Sequence, residues 1–129
     1  MASYRTPLAR ARGLGAAGHG VGHWIGERVS AVALVPLTLW AIYAFVRLAD
    51  ASHAEAVAWV RDNPLNPVLL VLFAAISFWH MHAGMRVVVE DYIEKVATKA
   101  TLLLLNLFVC VLAGGLAVFS ILQVALGGE

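Results

Sequence analysis

Residues 67–91 read PVLLVLFAAISFWHMHAGMRVVVED, an apolar run that opens on a proline, carries two histidines in its interior and ends on an acidic pair. Proline suits the first turn of a helix, and the 23 residues from Pro67 to Val89 exceed the roughly 20 a helix needs to cross a hydrocarbon core. Two stretches of the same character flank it. VSAVALVPLTLWAIYAFVRL follows Arg28, and LLLLNLFVCVLAGGLAVFSILQVAL lies beyond Lys99. The expectation is an all-α membrane protein with three transmembrane helices near residues 29–48, 67–89 and 100–126. These form one anchor domain over 29–126, after an N-terminal segment of residues 1–28.

Composition agrees. Of 129 residues, 61% are hydrophobic and 13% charged, and the mean hydropathy is +0.82, against roughly half apolar and a quarter charged in soluble domains. The spans consume more than half the chain, so no soluble catalytic domain fits in the remainder. The single cysteine, Cys110, excludes a disulfide framework, a cysteine-rich zinc site and a protein-held iron–sulfur cluster needing about four thiolates. A net charge of +1, without a basic run interleaved with aromatics, gives no sign of nucleic-acid binding.

The placement of charge carries more than its total. Arg5, Arg10, Arg12 and Arg28 precede the first span and Arg86, Lys95 and Lys99 sit around the second connection, leaving only Arg47 and Arg61 on the other side. The positive-inside tendency then gives an inside N-terminus and an outside C-terminus. The tail before Arg28 has no apolar core, and the first span is long and has no convincing small-residue cleavage site, so the tail reads as part of the mature protein. Its run GLGAAGHGVG (13–22) has too many glycines and too little periodicity to hold a helix alone, and is expected to be extended and ordered by a partner.

Pro36 is a candidate kink in the first span, tolerated where neighbours satisfy the freed carbonyl. Trp40 and Tyr43 read as packing or interfacial residues. Ser52 with Glu55 resembles a capping box opening a short helix before Asn63-Pro64, with Val57, Trp59 and Val60 resting it on the headgroups; His53 there reads as an exposed polar residue. In the third span Gly114 and Gly115 permit close helix approach, and Asn106 and Gln123 read as interhelical hydrogen-bonders.

The residues that could carry chemistry are in the second span. His80 and His82 lie at a depth where ionisable groups are functional candidates by default. Two residues apart, they point roughly 200° apart on a helix, so both cannot ligate one metal. A transmembrane haem with two axial imidazoles would need its second from another helix. None of the expected spans has another histidine, which points to a second chain. His80 shares a face with Gly84, Val87 and Asp91, at spacings of 4, 7 and 11. Gly84 removes a side chain one turn away, where a porphyrin edge could approach. Asp91 lies about 16 Å further along, at the inside surface, beside Tyr92. Against a ligand role stands a packing role for His80; His82 is read as packing, bonded to a neighbouring helix or to a haem periphery. Arg86 snorkels to headgroups. Arg28 is either a topology-setting helix-end arginine or a guanidinium partner for a haem propionate or quinone, and its residue type alone leaves both open.

At these residues the chain resembles the smaller, cytochrome b-type hydrophobic membrane-anchor subunit of succinate dehydrogenase, respiratory complex II. One match is H-x-x-x-G-M followed by D-Y, here His80, Gly84, Met85, Asp91 and Tyr92. The other is G-x-G-H-W-x-x-x-R-V-S-A, here Gly20, Gly22, His23, Trp24, Arg28, Val29, Ser30 and Ala31. The resemblance implies a second cytochrome b-type anchor subunit as partner, each anchor giving one histidine to a haem b, and makes His80 the iron ligand with Gly84 beside the cofactor. It implies ubiquinone reduction near the inside surface, Tyr92 donating to a quinone carbonyl, Asp91 supporting the site and Arg28 near the propionates or quinone. It further implies an iron–sulfur subunit fed by a flavoprotein, in a bacterial cytoplasmic (inner) or equivalent respiratory membrane surrounded by lipid. Glu27 departs from a pattern that often has Gln. The alternatives are a fumarate reductase anchor running in the opposite direction, and a small structural membrane protein whose histidines only pack.

Overall fold

The computed structural model describes residues 6–13 and 20–127; Arg5 and residues 14–19 of the glycine-rich run lie outside them. In chain order the elements are α1 (Pro7–Ala11), α2 (Gly20–Leu48), α3 (His53–Asp62), α4 (Leu65–Tyr92) and α5 (Val96–Ala125). No strand occurs among the described residues. Three of these helices, α2, α4 and α5, are long and apolar enough to cross a membrane. At 29, 28 and 30 residues each measures about 40 Å or slightly more, so its ends reach past a hydrocarbon core of about 30 Å.

The N-terminal region differs from the sequence reading. Residues 7–11 are helical, capped by the Thr6 side chain, which accepts from the Ala9 amide at 3.2 Å. α2 begins at Gly20, nine residues before the expected start, and takes in Gly20, Gly22 and Gly26. Glycine costs a helix about 1 kcal/mol per residue relative to alanine in water, yet it is frequent in membrane helices. The apolar stretch that follows continues the helix backwards through these glycines. α2 also passes through Pro36 without interruption.

α4 is the central helix, packed on α2 along one side and on α5 along the other. Small residues make these contacts, as expected where van der Waals packing rather than water exclusion drives association. Ser30, Ala41 and Ala44 are the buried residues of α2, and spacings of 11 and 3 put them on one stripe. Gly114 is buried in α5 against Phe78; a Cβ placed there would lie 3.1 Å from Phe78 Cβ. Gly115 faces open space, so only one of the two glycines makes the close approach.

At the Leu48 end, α3 lies across the bundle. Ser52 and Glu55 form the expected capping box: the Ser52 amide and hydroxyl both donate to Glu55 Oε2 at 2.7 Å, and the Glu55 amide donates to Ser52 Oγ at 3.4 Å. Trp59 stacks on Trp40 with ring centroids 6.0 Å apart, and Asn66 donates to the Trp59 carbonyl at 2.7 Å. Arg61 Nε donates to the Val124 carbonyl at 2.8 Å, adding a side-chain donor to one of the last carbonyls of α5, which Gly127 N–H also reaches at 3.4 Å. At the other end Lys99 Nζ donates to the Glu90 carbonyl at 2.8 Å, tying α5 to the last turn of α4.

Gly114→Val is expected to force α4 and α5 apart and destabilise the bundle by about 1–3 kcal/mol, the usual range for overpacking; Gly115→Ala should be near neutral, both read by thermal unfolding in detergent. The Ser52 hydroxyl, followed by the Ser52 amide, holds the Glu55 carboxyl below its ordinary range. A depressed folded value contributes stability that is present above the ordinary carboxyl value of 4.5 and is lost as pH falls from there through the lowered value. Amide exchange in the first turn of α3 should accelerate on acidification over that window. Ser52→Ala should raise it about fivefold at neutral pH, the factor matching a typical lost N-cap.

Candidate functional site

The sequence puts two imidazoles and few other polar groups into the apolar middle of α4, and a buried polar group without a partner costs about 1–3 kcal/mol. Each histidine finds its partner on a different neighbour. His80 Nδ1 lies 2.9 Å from Ser30 Oγ of α2, and that hydroxyl lies 3.0 Å from the Glu27 carbonyl one turn back. His82 turns to α5, where Asn106 Nδ2 meets its Nδ1 at 3.1 Å and its carbonyl at 3.0 Å. Cys110 donates to Asn106 Oδ1 at 3.4 Å, completing the amide's bonding. Asn106 is therefore the interhelical hydrogen-bonder expected, and His82 packs against a neighbouring helix. An open groove of about 450 Å³ between α4 and α5 is lined by His82, Phe78, Leu107, Cys110 and Gly115.

His80 is half-buried, and among the described residues only its Nδ1 is engaged. Gly84, one turn on, has nothing within 4 Å of where a Cβ would stand. Asp91 and Tyr92 end α4, and both are exposed, Tyr92 by 79%. Arg86 pairs with Glu90 at 2.7 Å on the surface of the same helix.

Arg28 is exposed, with its guanidinium 5.7 Å from the centre of the Trp24 ring, a cation–π contact. It stands two residues, about 200°, from Ser30, so α2 holds it on the side away from His80. No hydrogen bond or ion pair among the described residues joins Arg28 to Asp91 or Tyr92. The His80, Gly84 and Asp91 face is thus a single strip of α4, while Arg28 is not brought to it.

Two residues carry weight that the sequence reading does not give them. Ser30 belongs to the second motif, yet nothing in that motif assigns it a role; its partner is 50 positions away, and no local periodicity reports such a pairing. His23, outside the expected first span, lies within α2, so the first helix does contain a histidine. It faces Glu27 at 3.7 Å, where Glu27 Oε1 is buried without a hydrogen bond. His23 lies seven residues, about 10 Å along the axis, from the Ser30–His80 level. Its contact is with Glu27 of its own helix, and no contact among the described residues joins it to His80.

This is an integral membrane protein of the helical-anchor class: three membrane-length helices, polar contacts linking them, and long apolar faces that the chain itself leaves uncovered. The family model described as "Succinate dehydrogenase/Fumarate reductase transmembrane subunit" matches residues 2–114. A relative from Rickettsia bellii is 32% identical over 78% of this chain and 80% of its own length. One from Rickettsia conorii is 30% identical over 84% and 86%, and one from Paracoccus denitrificans 29% identical over 96% and 95%. All three are called succinate dehydrogenase hydrophobic membrane anchor subunit. No solved structure matches. The chain belongs to the family of succinate dehydrogenase hydrophobic membrane anchor subunits.

The imidazole of His80, whose Nε2 has no partner among the described residues, has the chemistry one haem-iron ligand position requires.

Replacing Asn106 with leucine is expected to strand His82 and cost about 1–3 kcal/mol. Adding His82→Leu to that variant should recover part of the loss, since the unpaired group is then removed as well; thermal unfolding of the four proteins of the double-mutant cycle measures this.

Proposed function

We propose that this chain anchors a succinate dehydrogenase in the membrane, shares a haem b with a second cytochrome b-type anchor subunit and helps form the site where ubiquinone is reduced. The observation that supports it best is His80, set in the interior of a membrane helix by a bond through Nδ1 with its other ring nitrogen unengaged. His80 would hold the haem iron through Nε2, a histidine of the partner anchor would hold it from the other side of the interface, and Gly84 would leave room beside it. When bound, the haem supplies a one-electron site inside the membrane.

The exposed Tyr92 phenol donates a hydrogen bond to a quinone carbonyl, and Asp91 beside it holds or delivers a proton as the quinone becomes quinol. Arg28, two residues from Ser30 and so near the level of His80, is free of any ion pair among the described residues and offers a fork to a propionate or quinone oxygen on a partner-facing side. Succinate oxidation belongs to other subunits: a flavoprotein and an iron–sulfur subunit, because a chain with one cysteine holds no cluster alone. That assembly would dock at the end bearing Asp91 and Tyr92, which the positive-inside tendency favours as the cytoplasmic side of a bacterial membrane. The relatives' names favour the succinate dehydrogenase direction over fumarate reduction.

A tagged chain should co-purify with a flavoprotein, a cluster-bearing subunit and a second small apolar subunit. His80→Ala should abolish or grossly alter the b-type band in reduced-minus-oxidised spectra, and an unchanged band removes the ligand assignment. Tyr92→Phe should slow quinone reduction about tenfold, the loss of one hydrogen bond, while sparing electron transfer to an artificial acceptor; equal loss with both acceptors indicates failed assembly instead.

A further inference from the structure

We propose that Ser30 is a positioning residue that fixes the tautomer and orientation of His80 and, through them, tunes the haem; this rests on the functional reading above. Ser30 Oγ has one proton and two neighbours, the Glu27 carbonyl oxygen at 3.0 Å and His80 Nδ1 at 2.9 Å. A carbonyl only accepts. If the hydroxyl proton pointed at Nδ1, the two oxygens would face each other at 3.0 Å across unshared lone pairs. The proton therefore goes to Glu27, the customary back-bond of a helical serine, and Oγ accepts from the Nδ1–H of His80. A neutral imidazole with its proton on Nδ1 has its lone pair on Nε2, the form an iron takes.

His82 supplies an internal contrast. Its Nδ1 meets Asn106 Nδ2, a group that only donates, so this Nδ1 is an acceptor and the proton sits on Nε2. Two histidines two residues apart are thus held in opposite tautomers by partners on opposite helices. Only His80 presents Nε2 as a base.

The partner of the distal N–H of a ligating histidine fixes the ring and raises its basicity. Here the acceptor is a hydroxyl whose own proton is bound to a carbonyl, an arrangement that strengthens both bonds. It is also buried, Ser30 being 6% exposed, so water does not replace it readily. Without the hydroxyl, Nδ1–H loses its acceptor, the imidazole donates less electron density, and the ferric state is favoured less.

The test uses the purified complex with Ser30→Val and Ser30→Thr, which differ at this position only in keeping the hydroxyl at nearly equal volume, and with His80→Ala. Redox titration of the b-type band and paramagnetic resonance of the ferric haem are the readouts. The expected result is an upward shift of the midpoint and altered ferric signals, or loss of haem, in Ser30→Val, with Ser30→Thr close to the parent in both. If Ser30→Val titrates like the parent, or if both variants shift or lose haem alike, the hydroxyl has no such role and the inference falls while the haem assignment stands. If the parent complex has no b-type haem, or His80→Ala leaves the band unchanged, the functional reading itself falls.

Discussion

In hydrocarbon there is no water to complete a hydrogen bond, so every polar group inside the bundle must be satisfied by the protein. The arrangement of the helices follows from that constraint acting on two residues. His80 and His82 project about 200° apart from one helix, and each needs a partner. Ser30 supplies one from α2 and Asn106 supplies the other from α5. A helix with polar groups on opposite sides has to be flanked on both, and α4 is the helix in the middle. An arrangement with α4 at the edge would leave one imidazole facing lipid.

The spans, the capping box and the bonding role of Asn106 were legible in sequence because each is written in local chemistry: continuous apolarity, an S-x-x-E spacing, a lone amide in a hydrophobic run. The start of α2 was not. Gly20, Gly22 and Gly26 weaken a helix by a propensity measured in water, and that propensity yields where the chain continues into a membrane span. Ser30 was invisible for another reason. A serine in an apolar helix satisfies itself by bonding back to the preceding turn, so its sequence context demands no partner, and the residue that uses its second valence is on another helix. His23 escaped with the helix boundary, and its inclusion in α2 removes the premise that only one membrane span of this chain holds a histidine. Its contact with Glu27, rather than absence, is what sets it apart from His80.

Small residues and the hydroxyl serve the same geometry. Ser30, Ala41 and Ala44 form the stripe by which α2 reaches α4, and Ser30 is the member of that stripe that carries the bond to His80. Turning α2 by one residue, about 100°, would remove the alanines from the contact and the hydroxyl from the imidazole together. The rotational setting of α2 and the protonation of the histidine are therefore one degree of freedom. A residue that changed the packing of the alanine stripe, far from His80, would act on the imidazole of His80 through Ser30. The reverse also holds: whatever binds the free nitrogen of His80 favours the tautomer that Ser30 accepts from, and so favours the α2–α4 contact itself. In the proposed assembly, a haem held by His80 would therefore stabilise this chain internally as well as join it to its partner.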